Sequence, residues 1–90
     1  MLLMKQSKYQ ESENILLQLI YNVDVSLGKE HIYYPIFIGN YSELLLKMQR
    51  YAEAKPLLEL SYKRILKAFG KEHKRTLKAQ KRLAELVKHE

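Results

Sequence analysis

Gly28-Lys29-Glu30-His31 recurs as Gly70-Lys71-Glu72-His73, and the offset of 42 positions between the two copies decides how the rest of the chain reads. The same offset sets Tyr9 on Tyr51, Glu11 on Glu53, Leu16 on Leu58, and Glu43-Leu44 on Glu85-Leu86. About a dozen overlapped positions are identical, where composition alone would give about two or three. A period of this length means that one supersecondary unit is used more than once.

Within each period the apolar residues follow helical spacing. Ile15, Leu16, Leu19, Ile20, Val23 and Leu27 form one stripe, and Leu57, Leu58, Tyr62, Ile65, Leu66 and Phe69 form its counterpart. Each stripe stops at a glycine, Gly28 or Gly70, the residue that takes a left-handed conformation at no Cβ penalty. Between the stops, Phe37, Ile38, Tyr41, Leu44, Leu45 and Met48 mark another helix. The spacing predicts helices over about 9–27, 34–48, 51–69 and 74–89, paired antiparallel in an all-α solenoid. Pro35 suits a first helical turn, and Pro56, whose i−4 carbonyl is that of Ala52, falls early in its helix. The expected organisation is a single domain, 1–90, of about two repeats: 1–8 as the end of a truncated first helix, 9–31 as a second helix and connector, 32–73 as a full repeat, 74–90 as a terminal helix. That count reads as a fragment of a longer array or a divergent end of one, with the Lys- and Arg-rich last helix as a polar cap.

These residues resemble the tetratricopeptide repeats, in the 42-residue variety of kinesin light chains. Gln49-Arg50-Tyr51-Ala52-Glu53-Ala54-Lys55-Pro56-Leu57 is similar to the family's turn and second-helix wording, and Lys8-Tyr9-Gln10-Glu11-Ser12-Glu13 is a weaker copy with Ser12 for the alanine. Leu27-Gly28-Lys29-Glu30-His31 and Phe69-Gly70-Lys71-Glu72-His73 resemble the family's connector, without its usual following proline. The resemblance implies a right-handed solenoid whose first helices line a concave groove that holds peptides. By alignment to Tyr51 the groove positions are Ile36, Gly39, Asn40, Glu43 and Lys47, then Lys78, Lys81, Arg82, Glu85 and Lys88. Asn40 matches the second of a pair of asparagines that hold a peptide backbone in that family, Gly39 replaces the first, and Arg82 stands where the last helix has the asparagine. A cation there suits a carboxylate by bidentate bonding. The expected peptide-binding set is therefore Asn40, Glu43, Lys47, Lys78, Lys81 and Arg82, with an acidic or C-terminal peptide as ligand. The alternative for Lys78, Lys81 and Arg82 is the solvated face of a terminal helix.

Composition narrows the class. The chain has 90 residues, no cysteine, no tryptophan, three glycines and two prolines, too little punctuation for a many-stranded sheet. Without cysteine there are no disulfides, thiolate zinc sites or cysteine nucleophiles, so a reducing intracellular setting is expected, the cytoplasm first and the nucleus left open. The opening MLLM is too short for a signal peptide, and no apolar run has the length of a bilayer span. The net charge of +6 is unevenly held: residues 1–45 carry three lysines against five acids, residues 46–90 thirteen basic residues against five acids.

No constellation for catalysis, cofactor or metal is visible, so the expectation is a protein-binding scaffold and not an enzyme. His31 and His73 share one connector position and read as packing and loop closure; His89 reads as helix-end surface. Glu11, Glu13, Glu53 and Glu59 read as outward or first-turn carboxylates, and the glycines form no phosphate loop. Tyr33 and Tyr34 read as core or edge packing. Two alternatives stand from other classes. Lys63, Arg64, Lys67, Lys71, Lys74, Arg75, Lys78, Lys81 and Arg82 are dense enough for phosphate backbones, but no stacking platform accompanies them, and nucleic acid is not the expected partner. The chain also resembles the helical accessory domain of SET/MYND-type methyltransferases. Exposed repeat ends would further give it a route to self-association.

Overall fold

The repeated tetrapeptide carries both the stop of one helix and the start of the next. In the computed structural model, which describes residues 2–89 and side chains from residue 8 onward, Gly28 and Gly70 hold φ of +88° and +86°. Three residues after each glycine, the histidine turns its ring back onto the following helix. His31 Nδ1 accepts the Tyr33 amide at 3.1 Å, and His73 Nδ1 accepts the Arg75 amide at 3.0 Å. Each bond satisfies one of the first-turn N–H groups that a helix leaves without an internal partner.

Four helices result: α1 (Leu2–Ser26), α2 (Tyr33–Lys47), α3 (Tyr51–Phe69) and α4 (Lys74–Val87), with no strand among the described residues. Met1 and Glu90, the outer ends of two expected segments, lie outside the described residues. The expected break near residue 8 is absent, because α1 runs unbroken through it. The counterpart break, between α2 and α3, depends on Gln49 at φ 61°. Its amide donates to the Leu46 carbonyl at 3.0 Å and the Arg50 amide to that of Leu45 at 2.9 Å, a Schellman closure with glutamine in the left-handed position. Ser7, 42 positions earlier, sits instead within the unbroken helix. Gln49→Gly removes the Cβ strain, offset in part by greater freedom of the unfolded chain, and is expected to stabilise the fold by about 0.5 kcal/mol. Thermal unfolding followed by circular dichroism should show a midpoint rise of roughly 2–4 °C.

α2 packs against α1 on one side and α3 on the other, and α4 closes on α3. The core is Leu45, Leu46, Ala54, Leu58 and Leu86, flanked by Tyr41, Tyr51, Leu57 and Leu83. Ala54 is fully buried in this core, three residues after Tyr51. The α1 stripe is narrower than expected. Val23 is buried and Leu16 and Ile20 partly so, but Ile15, Leu19 and Leu27 are exposed, since α1 has one helical neighbour where α3 has two.

What fastens α1 instead is a carboxylate. Glu13, expected to face outward, is 8% exposed and accepts from the Tyr41 hydroxyl at 2.8 Å and Arg50 Nη1 at 2.9 Å. Arg50 also grips Glu53 with Nε and Nη2, and the two carboxylates raise its pKa while it lowers that of Glu53. Burial, then the hydrogen bond to Glu13 and its charge, push the Tyr41 hydroxyl up to about 12 against a smaller opposing effect of Arg50. A raised pKa in the folded state means that this contribution is complete below pH 10, the ordinary value, and is lost as pH rises towards about 12. Tyr41→Phe is expected to lose less stability than the parent chain between pH 9 and about 12 in urea titrations.

Among the described residues, no helix is long and apolar enough to cross a membrane.

Candidate functional site

Helical spacing on α2 and α4 turns two sets of side chains towards one another across a groove of about 740 Å³. From α2 come Glu43, Leu46 and Lys47; from α4 come Leu77, Lys78, Lys81, Arg82 and Glu85, with His89 just beyond the helix. Five of the six residues expected to bind a peptide line this groove. The sixth, Asn40, lines a smaller cavity of about 50 Å³ together with Ile36, Ile65, Arg75, Lys78 and Arg82. Lys78 and Arg82 border both spaces. Leu46, Leu77 and Arg75 were not among the expected groove positions. Arg75 was legible as the residue one turn before Lys78 on the same face, whereas Leu46 and Leu77 come to line one groove only because α4 lies beside α2.

Arg82 does not stand free at the groove floor as expected. It is 9% exposed, its Nε donates to Glu43 Oε1 at 2.8 Å and its Nη2 to Asn40 Oδ1 at 3.1 Å. The carboxylate it was expected to take from a ligand is supplied by the chain itself. Gly39 is what makes room for it: a Cβ there would lie 2.6 Å from Arg82 Nη1 and 2.7 Å from Ser61 Oγ. Ser61 cannot easily yield, since its hydroxyl donates to the Pro35 carbonyl at 2.8 Å and the residue is 1% exposed. Gly39 and Arg82 are thus coupled in space, the guanidinium occupying the room that a side chain at position 39 would need.

Electrostatics at the groove follow from this pair. Partial burial alone would raise the Glu43 pKa, but its bond to Arg82 and the charges of Arg82, Lys47 and Lys78 outweigh it and hold the carboxyl below the ordinary value. Lys47 Nζ lies 3.9 Å from Glu43 on the solvent side. With Glu43 committed to Arg82, the exposed lysines Lys47, Lys78 and Lys81 dominate the rim around the apolar Leu46 and Leu77. Glu85 lies 3.4 Å from His89 Nε2, and the His89 ring stacks on Tyr51 at 4.4 Å and 9°. His89 is therefore part of the groove's end and not bare surface.

Of the remaining basic residues, Arg64 donates to the Lys29 carbonyl and lies 6.0 Å over the Tyr34 ring, so it too is held internally. Tyr33 sits half exposed at the start of α2, in edge contact with His31 and near Phe37. Thr76 is 1% exposed and its hydroxyl has no hydrogen-bond partner among the described residues. No group of three His, Asp or Glu side chains is placed to hold a metal ion among the described residues.

No family model, curated protein or solved structure matches this chain.

Proposed function

We propose that the chain is a tetratricopeptide-like solenoid segment that acts as a protein-interaction module, holding an acidic peptide in the groove between α2 and α4. The observation that carries this reading is the composition of that groove: exposed Lys47, Lys78 and Lys81 surround buried Leu46 and half-exposed Leu77. A surface with a few apolar anchors and charges of one sign on its rim suits a short polypeptide of opposite charge. The 42-residue period and the capped helix starts support the repeat assignment. Nothing in the groove brings a nucleophile, a base and an orienting group together, so binding is the activity we assign. A cytoplasmic setting belongs to the same proposal.

Arg82 is the wrong residue to mutate in a test, because removing it disturbs Glu43 and Asn40 as well. Lys47 and Lys81 are exposed and can be reversed without opening the core. Fluorescence anisotropy with acidic, neutral and basic peptide libraries should show preference for the acidic set, and Lys47→Glu/Lys81→Glu should weaken that set at least tenfold. An equal response to all three libraries contradicts the reading. Tighter binding of unrelated oligonucleotides than of any peptide at moderate salt would transfer the basic face to nucleic acid.

A further inference from the structure

We propose that the small cavity at the meeting of α2, α3 and α4 is an oxyanion site that takes the phosphoryl group of a phosphorylated peptide lying in the neighbouring groove. The proposal rests on the groove reading above and adds the chemistry of its anchor.

The cavity has the size for such a group. Its volume is about 50 Å³, room for a small polyatomic group. Ile36 and Ile65 form its dry side; Asn40, Arg75, Lys78 and Arg82 form its polar side. Arg82 is nine-tenths buried, so the polar wall is built into the fold and not only draped over it.

Charge then decides between a phosphoryl group and a carboxylate. Arg82 is already neutralised by Glu43 at 2.8 Å. Arg75 and Lys78 make no ion pair with a carboxylate among the described residues; Lys78 acts on Glu43 only at longer range, behind the closer Arg82 and Lys47, so two cations that face one cavity keep uncompensated charge. A phosphomonoester carries about −1.5 to −2 near neutral pH and three acceptor oxygens, whereas a carboxylate would leave one cation unanswered. Asn40 spends its Oδ1 on Arg82, and this leaves its amide N–H groups as donors.

The position of Arg75 points the same way. It lies in the first turn of α4, where the backbone dipole is positive, and no acidic residue accompanies it there. Cations at a helix start are unfavourable, and a bound dianion reverses that sign. Because Lys78 and Arg82 also line the groove, a phosphorylated side chain can descend into the cavity while its flanking backbone stays between α2 and α4.

Two tripeptides, Ac-Ala-pSer-Ala-NH2 and Ac-Ala-Asp-Ala-NH2, together with inorganic phosphate, provide the test, read from amide shifts of the ¹⁵N-labelled 90-residue chain. The expected result is at least tenfold tighter binding of the phosphopeptide than of the aspartyl peptide, with the largest shifts at Asn40, Arg75 and Lys78. Arg75→Gln/Lys78→Gln, both at exposed positions, should abolish that preference, while Lys47→Gln/Lys81→Gln should weaken both peptides by the same factor. Equal affinity for the two peptides, a preference that survives in Arg75→Gln/Lys78→Gln, or inorganic phosphate binding as tightly as the phosphopeptide overturns the proposal. If equal affinity comes with loss of both peptides in Lys47→Gln/Lys81→Gln, the groove reading stands and only the oxyanion site fails. If neither peptide shifts the groove residues, both fail.

Discussion

Glu43→Ala is expected to cost about 3 kcal/mol of folding stability, more than Arg82→Met costs, although the two residues belong to one ion pair. The asymmetry comes from burial. The side chain of Arg82 is 9% exposed and that of Glu43 38%. Removing Glu43 leaves a guanidinium with its charge unanswered inside the protein, whereas removing Arg82 leaves a carboxylate that can turn towards water and Lys47. The double variant Glu43→Ala/Arg82→Met should recover part of the loss, because no buried charge is then left over. Urea denaturation at pH 7 measures all three. For a chain of this length a 3 kcal/mol loss lowers the thermal midpoint by roughly 12–24 °C. A smaller loss for Glu43→Ala than for Arg82→Met would mean that the guanidinium reaches solvent. Since the folded-state pKa of Glu43 lies below its ordinary value, the pair contributes fully above the ordinary carboxylate range and fades as pH falls below it.

The second large effect lies at Gly39. A Cβ 2.6 Å from Arg82 Nη1 and 2.7 Å from Ser61 Oγ leaves no position for alanine without movement, and overpacking of this kind costs about 2 kcal/mol. Arg82 is the flexible partner, so it moves first, and moving it strains its bonds to Glu43 and Asn40. Gly39→Ala should therefore be coupled to Arg82→Met: the cost of the alanine falls by at least about 0.5 kcal/mol when the guanidinium is already gone. A double-mutant cycle by chemical denaturation measures this coupling. Strict additivity would show that the cost of the alanine arises at Ser61 and not at Arg82.

The helices were legible because their punctuation is local. Gly28 and Gly70 need a conformation that few residues accept, His31 and His73 recur at one place, and the apolar spacing of α2 and α3 matches the faces they bury. The end of α2 was legible from the apolar spacing that stops at Met48 but not from its residue type, since Gln49 is no obvious left-handed residue. At α1 periodicity failed, because it reports which residues can be buried and not how many neighbours arrive to bury them; Ile15 and Leu19 fit the stripe and remain exposed. Long-range polar pairs escaped for a related reason. Nothing near Glu13 in sequence announces Tyr41 or Arg50, and nothing near Arg82 announces Glu43, 39 positions away. Of the ten expected groove positions Glu43, Lys47, Lys78, Lys81, Arg82 and Glu85 line the groove, whereas its charge state was not readable, since it depends on which cation the chain consumes internally. Arg82 is consumed and Lys47 shares Glu43 with it at 3.9 Å, while Lys78 and Lys81 remain.

The central claim, that the α2–α4 groove is where this chain meets a partner peptide, is tested most directly by mapping amide shifts while an acidic, leucine-containing peptide is titrated in. The expected result is a continuous set of perturbed residues comprising Glu43, Leu46, Lys47, Leu77, Lys78 and Lys81, with the outer faces of α1 and α3 unmoved. Perturbation centred on the exposed residues of α1, or no saturable shift at the groove, would contradict it.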